Sequence, residues 1–363
     1  MTFLTPIIII FSVLSGLDYI LGNRFGIGEE FKKAFMLFGT MALSMIGMIV
    51  MAPAIGEAIS PIFNFAYNLL HIDPSIIPAS LFANDMGGAP LAKEIAKDES
   101  IGMFNALVVS SMMGCTVSFT IPFALGVVGK KNHRELLIGL LCGVVTIPIG
   151  CFVAGLICRI PIVSLLVDLL PLIIFSTVIA IGLIKFQNTC VKIFKIFGFL
   201  INALIIVGLL FGIIRFLTGK EIIKGLATIE DAAAVCLNAS IVMSGMFPFI
   251  NIVSRLLKRP LNFIGGKIGI NGTSALGFIS SLATSATTYG MMDKMDKKGV
   301  MLNSAFAVSA AFSLAGHLAF TMAFDASYIF PVIVGKLVSG ASALALAVLI
   351  YKLTNERYNE NHQ

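Results

Sequence analysis

What this 363-residue chain has least of is charge: 12% of its residues are charged and 58% are hydrophobic, whereas about a quarter of a soluble domain is charged. A mean hydropathy of +0.98 excludes a soluble globular chain. Also missing are a P-loop, an HExxH zinc helix and a G-x-S-x-G elbow, and the loops are too short to hold a catalytic domain. An enzyme is therefore not expected, and ATP-driven transport would need a separate chain. There is no CxxC pair. The six cysteines, Cys115, Cys142, Cys151, Cys158, Cys190 and Cys236, lie in or at the ends of apolar runs, where a thiol is a small packing group. No metal and no cofactor is expected.

What fills the chain instead is a series of apolar runs, each of about 20 residues, long enough to cross a hydrocarbon core of about 30 Å. The reading is an all-α polytopic membrane protein, its partner the lipid bilayer. Nine crossing helices are expected at about 2–21, 34–60, 102–127, 135–158, 160–184, 196–218, 229–254, 299–322 and 331–352. The first run has no basic leader or small-residue cleavage site, so a retained span is expected. The net charge of +6 would suggest nucleic acid in a soluble protein. Here the basic residues sit in loops between spans and report topology, not a nucleic-acid partner.

Two segments break the pattern. Between 73 and 98, Asp73-Pro74 reads as an N-cap followed by proline at the first helical position, and Asn84 to Gly88 reads as a helix-breaking turn. Each arm of this ASLFANDMGGAPLAKEIAK region is then about 16 Å long, half a bilayer. The segment 271–297 has the same plan. Both are expected to be re-entrant helical hairpins, whose tips need protein or a wet cavity around them.

With each hairpin entering and leaving on one face, eighteen lysines and arginines fall on one side and six on the other, Lys336 lying within the last span. The positive-inside rule then places the N-terminus outside and the C-terminus, with a tail at 354–363, in the cytoplasm. An offset of 198 residues brings Met45-Ile46-Gly47-Met48 onto Met243-Ser244-Gly245-Met246, Asp73 onto Asn271, Asp98 onto Asp296, Asn105 onto Asn303 and Ser111 onto Ser309. The chain reads as a single transporter domain over 1–353: one repeat at about 1–158, a linking helix at 160–184 and a second repeat at about 196–352. Five crossings per repeat-plus-linker is odd, so the second repeat enters inverted. Transporters of this design hold substrate near the midplane between broken helices.

Candidate site residues follow from that plan. At the first tip stand Asn84, Asp85, Gly87 and Gly88; a carboxylate at mid-membrane costs roughly 2.5 to 3.5 kcal/mol unless paired or hydrated, so Asp85 points to a cation, though it also suits an N-cap. The second tip, SSLATSATTYG, brings hydroxyls at Thr284, Ser285, Thr287, Thr288 and Tyr289, each of which alternatively satisfies its own backbone. Thr116, Ser118, His317 and Phe320 are expected on adjoining helices to line the same cavity, with Phe119, Phe82, Phe320 or Tyr289 to stack on a cation. Asp18, Glu57, Asp168 and Asp325 lie near predicted helix ends, where snorkelling or capping is the default. The Gly139–Gly143 spacing suits close helix packing, which leaves a homo-oligomer open.

Several strings taken together, NRFGIGEEF, NDMGGAPLAKE, SSMMGCTVSFTIPFALG, VTIPIGC, NSAFAVSAAF and IFPVIVGKLVSG, resemble the ethanolamine utilization permeases, the EutH family, over nearly the whole length. The resemblance implies a bacterial cytoplasmic-membrane protein that takes up ethanolamine for breakdown by an ammonia-lyase. Asp85, Gly87, Gly88 and His317 stand at family motif positions. Gly316 stands where some relatives have an acidic residue, and Ala89-Pro90 where relatives often have an aromatic first. Open beside this are a transporter of another small amine or nucleoside-like solute and a nontransporting receptor or assembly factor of the same pathway.

Overall fold

A computed structural model describes residues 4–70, 72–81 and 88–360. Every regular element among them is helical: α1 (Thr5–Ile20), α2 (Gly28–Leu70), α3 (Ile76–Leu81), α4 (Gly88–Ile95), α5 (Glu99–Phe104), α6 (Ile121–Val127), α7 (His133–Ile157), α8 (Ile162–Lys185), α9 (Gln187–Thr218), α10 (Ile229–Ile268), α11 (Gly272–Ala283), α12 (Ser285–Met291), α13 (Lys297–Ala310), α14 (Gly316–Phe324) and α15 (Ile329–Glu360). Seven helical stretches among the described residues are long and apolar enough to cross a membrane: Gly28–Ile59, Glu99–Val127, Lys130–Ile157, Ile162–Lys185, Ile196–Thr218, Ile229–Leu256 and Ala326–Leu353. They coincide with seven of the nine expected spans. Of the other two, α1 is a shorter apolar helix of 16 residues. The expected continuous span at 299–322 is two helices, α13 and α14, separated at residues 311–315.

The outer helices turn large apolar side chains to the surroundings: Ile9, Val13 and Leu17 of α1, Val163 and Leu166 of α8, Phe199 and Leu217 of α9 are all exposed. A bilayer would cover such a surface. Inside, glycines set the helix spacing, as small residues do where helices gain little from apolar burial. A Cβ on Gly47 of α2 would run into the backbone of Ile205 on α9, and one on Gly245 of α10 into the backbone of Ile8 on α1. The Gly139 and Gly143 pair is used within the chain, against Ser304 and Val308 of α13.

Two segments depart from regular α-helix, and both point into the core. Between α5 and α6 the backbone winds as a π-helix over Asn105–Gly114 and again over Thr116–Thr120, a rare form that is frequent at functional sites. In the 311–315 break, Phe312 adopts φ of 61°, costly for any residue with a Cβ. The freed backbone is satisfied by the neighbouring α11: Phe312 N–H donates to Ser281 O and Leu314 N–H to Leu282 O, both at 3.0 Å. Thr116 Oγ1 of the π-helix, bonded to Met112 O at 2.6 Å, also lies 3.1 Å from Val308 O of α13.

Both segments, 73–98 and 271–297, have their ends tied together by side chains. The Asp73 carboxylate accepts from the backbone N–H groups of Ser75, Lys97 and Asp98. In the second segment the Asp296 carboxylate accepts from Asn271 N–H and from Ser274 Oγ at 2.6 Å. Asp98 and Asp296 also cap α5 and α13. Two fully buried amides brace the pair: Asn105 Nδ2 donates to Ser75 Oγ, and Asn303 Nδ2 to the Ser274 and Gly299 carbonyls.

Candidate functional site

The break between α13 and α14 opens onto a cavity of about 330 Å³, a size that takes small ligands. Lys33, Leu37, Thr40, Met41 and Met45 of α2 form one wall, Ala239, Met243 and Phe247 of α10 a second. Thr284, Ala286 and Thr287, where α11 meets α12, form a third, and Phe312, Gly316, His317 and Phe320 close it. The lining is mainly apolar with a few convergent polar groups, as in small-molecule sites generally. A second cavity of about 360 Å³ shares Lys33, Phe247, Ala283, Thr284 and Thr287 with the first and continues to Glu30, Asn251, Ser254 and Arg255.

At the closed end the chemistry concentrates on three residues. Phe312 holds its ring 5.0 Å from the His317 imidazole, and its strained backbone also accepts the His317 N–H. His317 is 3% exposed, with Nδ1 3.1 Å from the Nζ of Lys336. Lys336, on α15, is 1% exposed and donates to the Ser111 carbonyl of the π-helix at 2.7 Å. His317 Nε2 has no partner among the described residues. The sequence carries a signal for this lysine, a single cation in the apolar run IFPVIVGKLVSG, because an ionisable residue inside a span is a functional candidate by default. Counting charges by loop passes over it. Phe312, Met45 and Met243 carry no such signal.

Of the residues singled out from the sequence, Thr284, Thr287, His317 and Phe320 line the cavity. Thr284 also caps α12, its hydroxyl accepting from Ala286 N–H. Thr288 is buried just behind, donating to Gly277 O and sharing a hydrogen bond of 2.9 Å with Ser281. Ser285 and Tyr289 are buried, and neither hydroxyl has a partner among the described residues. Thr116 and Ser118 hydroxyls go to carbonyls of their own helix, Met112 O and Gly114 O. Phe119 stacks on Phe123 at 5.0 Å and meets Phe312 edge-on at 6.0 Å, so the aromatic cluster reaches the cavity through Phe312. Gly88 is buried as the first residue of α4. Phe82, Asn84, Asp85 and Gly87 lie outside the described residues.

The acidic residues near helix ends divide. Asp18 accepts from Phe25, Ile27 and Gly28 N–H and so anchors the start of α2. Asp325 caps the turn at Ser327. Asp168 neither caps nor snorkels: it is 2% exposed, receives Asn105 Nδ2 at 3.2 Å and lines a cavity of about 310 Å³ with Asp73 and Asp98.

The sequence model of the family described as "Ethanolamine utilisation protein, EutH" matches residues 2–350. The chain is 38% identical over 342 residues to the "Probable ethanolamine permease EutH" of Listeria monocytogenes, covering 94% of this chain and 92% of that one. It is 36% identical to the protein of the same description from Salmonella typhimurium, covering 90% and 86%. An uncharacterized protein of Bacillus subtilis is 35% identical over 91% of this chain and 89% of its own. No solved structure matches.

Proposed function

Because the chain belongs to the EutH family of ethanolamine utilisation proteins, we propose that it is a permease that admits ethanolamine, as ethanolammonium, across the bacterial cytoplasmic membrane. A primary amine with a pKa within about a unit of lysine's is roughly 99% or more charged at neutral pH. That form does not dissolve in lipid, so uptake needs a polar path through the protein.

The observation that carries the mechanism is the cavity between α2 and α10, walled by one long helix from each half and by the tip between α11 and α12. On our reading the two halves are inverted repeats, each with a re-entrant hairpin, and the substrate sits between the two tips. Helix ends support this at the 198-residue offset: α1 and α9 end at Ile20 and Thr218, α2 and α10 at Leu70 and Ile268, and α5 and α13 begin at Glu99 and Lys297. Packing supports it by exchange, since α9 lies on α2 through Gly47 and α1 on α10 through the equivalent Gly245. Cavity-lining Met41 and Met45 stand at positions equivalent to Ala239 and Met243.

Asp85 of the first tip pairs the ammonium in this scheme, with Asn84, Thr284 and Thr287 orienting the rest. The second cavity, running to Glu30 and Arg255, opens on the face that the lysine and arginine count places in the cytoplasm. The conformation is then inward-facing, and its outward-facing counterpart follows when the hairpins exchange roles. Labelled ethanolamine uptake into proteoliposomes tests this. Saturable uptake competed by aminopropanol more than by nucleosides is expected, and Asp85→Asn removes it at acid pH while the protein still reaches the membrane. Binding without equilibration across the bilayer would make the chain a receptor instead, and unchanged kinetics in Asp85→Asn would take that residue out of the site.

A further inference from the structure

Lys336 is the only lysine or arginine among the described residues that is buried, and no carboxylate among them lies within ion-pair distance of it. Its immediate partners are the Ser111 carbonyl at 2.7 Å and His317 Nδ1 at 3.1 Å. The other titratable groups around it are the thiols of Cys115 and Cys151. A lysine ammonium has three donors and no acceptor. While Lys336 holds its proton, the imidazole offers Nδ1 as the acceptor and carries its own proton on Nε2, since the hydrogen bond at one ring nitrogen sets the tautomer of the whole ring.

The consequence falls on the cavity. With Nδ1 turned to Lys336, the nitrogen without a partner among the described residues is Nε2, itself buried, on a ring that lines the cavity beside Phe312 and Phe320, so a ligand reaches it once a neighbouring side chain gives way. An N–H in that place has nothing to give a substrate ammonium, which only donates. It matches an alcohol oxygen. Behind the ring the lysine charge also repels the cationic end of any ligand.

We propose that His317 reads the hydroxyl of an amino alcohol through Nε2–H, with Lys336 as the positioning residue that fixes this tautomer. The substrate lies with its hydroxyl toward α14 and its ammonium away from Lys336. Specificity for amino alcohols over plain alkylamines then resides at the closed end of the cavity, in residues distinct from those that neutralise the charge. This rests on the assignment of the cavity to ethanolamine.

The experiment compares ethanolamine with ethylamine, which keeps the ammonium and lacks the hydroxyl. Binding of each is measured by calorimetry on the purified full chain, and uptake of each in proteoliposomes, for the wild type and for His317→Phe, His317→Gln, Lys336→Met and the double variant Lys336→Met/His317→Gln. The wild type is expected to prefer ethanolamine by about tenfold or more, because a site built for a hydroxyl is left with an unpaired group by the analogue. His317→Phe loses about two- to tenfold in ethanolamine affinity and leaves ethylamine binding in place, which also reports that the protein is folded. Lys336→Met lowers the preference by freeing the tautomer. Glutamine, whose amide always keeps an N–H, restores the preference in the double variant, a rescue that a purely structural lysine would not show.

An undiminished preference in His317→Phe or in Lys336→Met overturns the inference, as does equal binding of the two amines by the wild type. Selective binding without uptake overturns the permease reading alone. Uptake of both amines at equal efficiency overturns this inference alone.

Discussion

Adding one methyl group at Gly47 or at Gly245 is expected to destabilise the protein where the same change at Gly39 does not. At Gly47 a Cβ would collide with the Ile205 carbonyl oxygen and would lie 2.7 Å from its carbon and 2.8 Å from Leu209 N; at Gly245 it would collide with Ile8 O and lie 2.8 Å from both Ile8 C and Cα. Ordinary contacts begin near 3.4 Å, so each helix pair must part by half an ångström or more. The obstacles are backbone atoms of a neighbouring helix, which have no rotamer by which to yield. Overpacking of this kind costs about 1 to 3 kcal/mol, only partly offset by the gain of about 1 kcal/mol from replacing glycine by alanine in a helix. Gly39, on the same helix as Gly47, faces open space, so only the gain remains there. Thermal unfolding in detergent, followed by helix content, should place Gly47→Ala and Gly245→Ala several degrees below the wild type, by similar amounts, and Gly39→Ala at or above it. Three indistinguishable variants would refute the close crossings, and a loss at only one of the two inner sites would refute their equivalence.

Phe312 reverses the usual order of alanine and glycine. At φ of 61° a Cβ costs about 1 kcal/mol that glycine avoids, so Phe312→Gly should unfold at a higher temperature than Phe312→Ala, although both lose the ring contacts with His317 and Phe119. Acid should act through Asp98 and Asp296, at the ends of the 73–98 and 271–297 segments. Hydrogen bonds from Ile101 N–H and Ser100 hold the Asp98 carboxyl below its usual range; at Asp296 burial opposes, and bonds from Asn271, Ser274 and Gly299 outweigh it to the same net direction. A group depressed on folding stabilises the fold above its unfolded pKa, near 3.9, and loses that contribution as pH falls through its lower folded value. Melting temperature should therefore drop below about pH 4, and Asp98→Ala and Asp296→Ala, each costing about 1 kcal/mol at neutral pH as lost helix caps, should flatten that drop.

How far the sequence reaches can be argued from particular residues. Membrane character, seven of the long crossings and the two-helix plan of 271–297 follow from apolar run length and from capping residues such as Asn271 and Asp296, which act locally and are visible locally. The break in the expected 299–322 span is not: Ala311 to Ala315 contain no proline or glycine, and the kink exists because Ser281 and Leu282 of α11 accept the freed N–H groups. That is a tertiary cause. The same holds for Asp168, near a helix end in the chain yet buried against Asn105, and for the hydroxyls of Thr116, Ser118 and Thr288, whose carbonyl partners rather than a ligand define them. Among the cavity residues, hydroxyl-rich Thr284 and Thr287 announce themselves by composition, whereas Met45, Met243 and Phe312 look like any other lining of an apolar core.

Lys336 shows why a repeat-based reading favours scaffold over chemistry. At the 198-residue offset the scaffold glycines coincide, Gly47 with Gly245, and so do the bracing amides, Asn105 with Asn303. The polar and aromatic residues at the break do not: His317 corresponds to Phe119, Phe312 to Gly114, Lys336 to Ile138 and Thr284 to Met86. On the proposed inverted-repeat reading, two halves must pack alike, so residues that carry packing are the ones that match at the offset. A small asymmetric ligand with an ammonium at one end and a hydroxyl at the other needs different groups at its two ends, and a site on the dyad can supply them only where the halves differ. On that argument the positions at which the repeat fails, inside spans and beside the cavity, are the ones to mutate first, and the lysine and histidine behind Phe312 stand at their head.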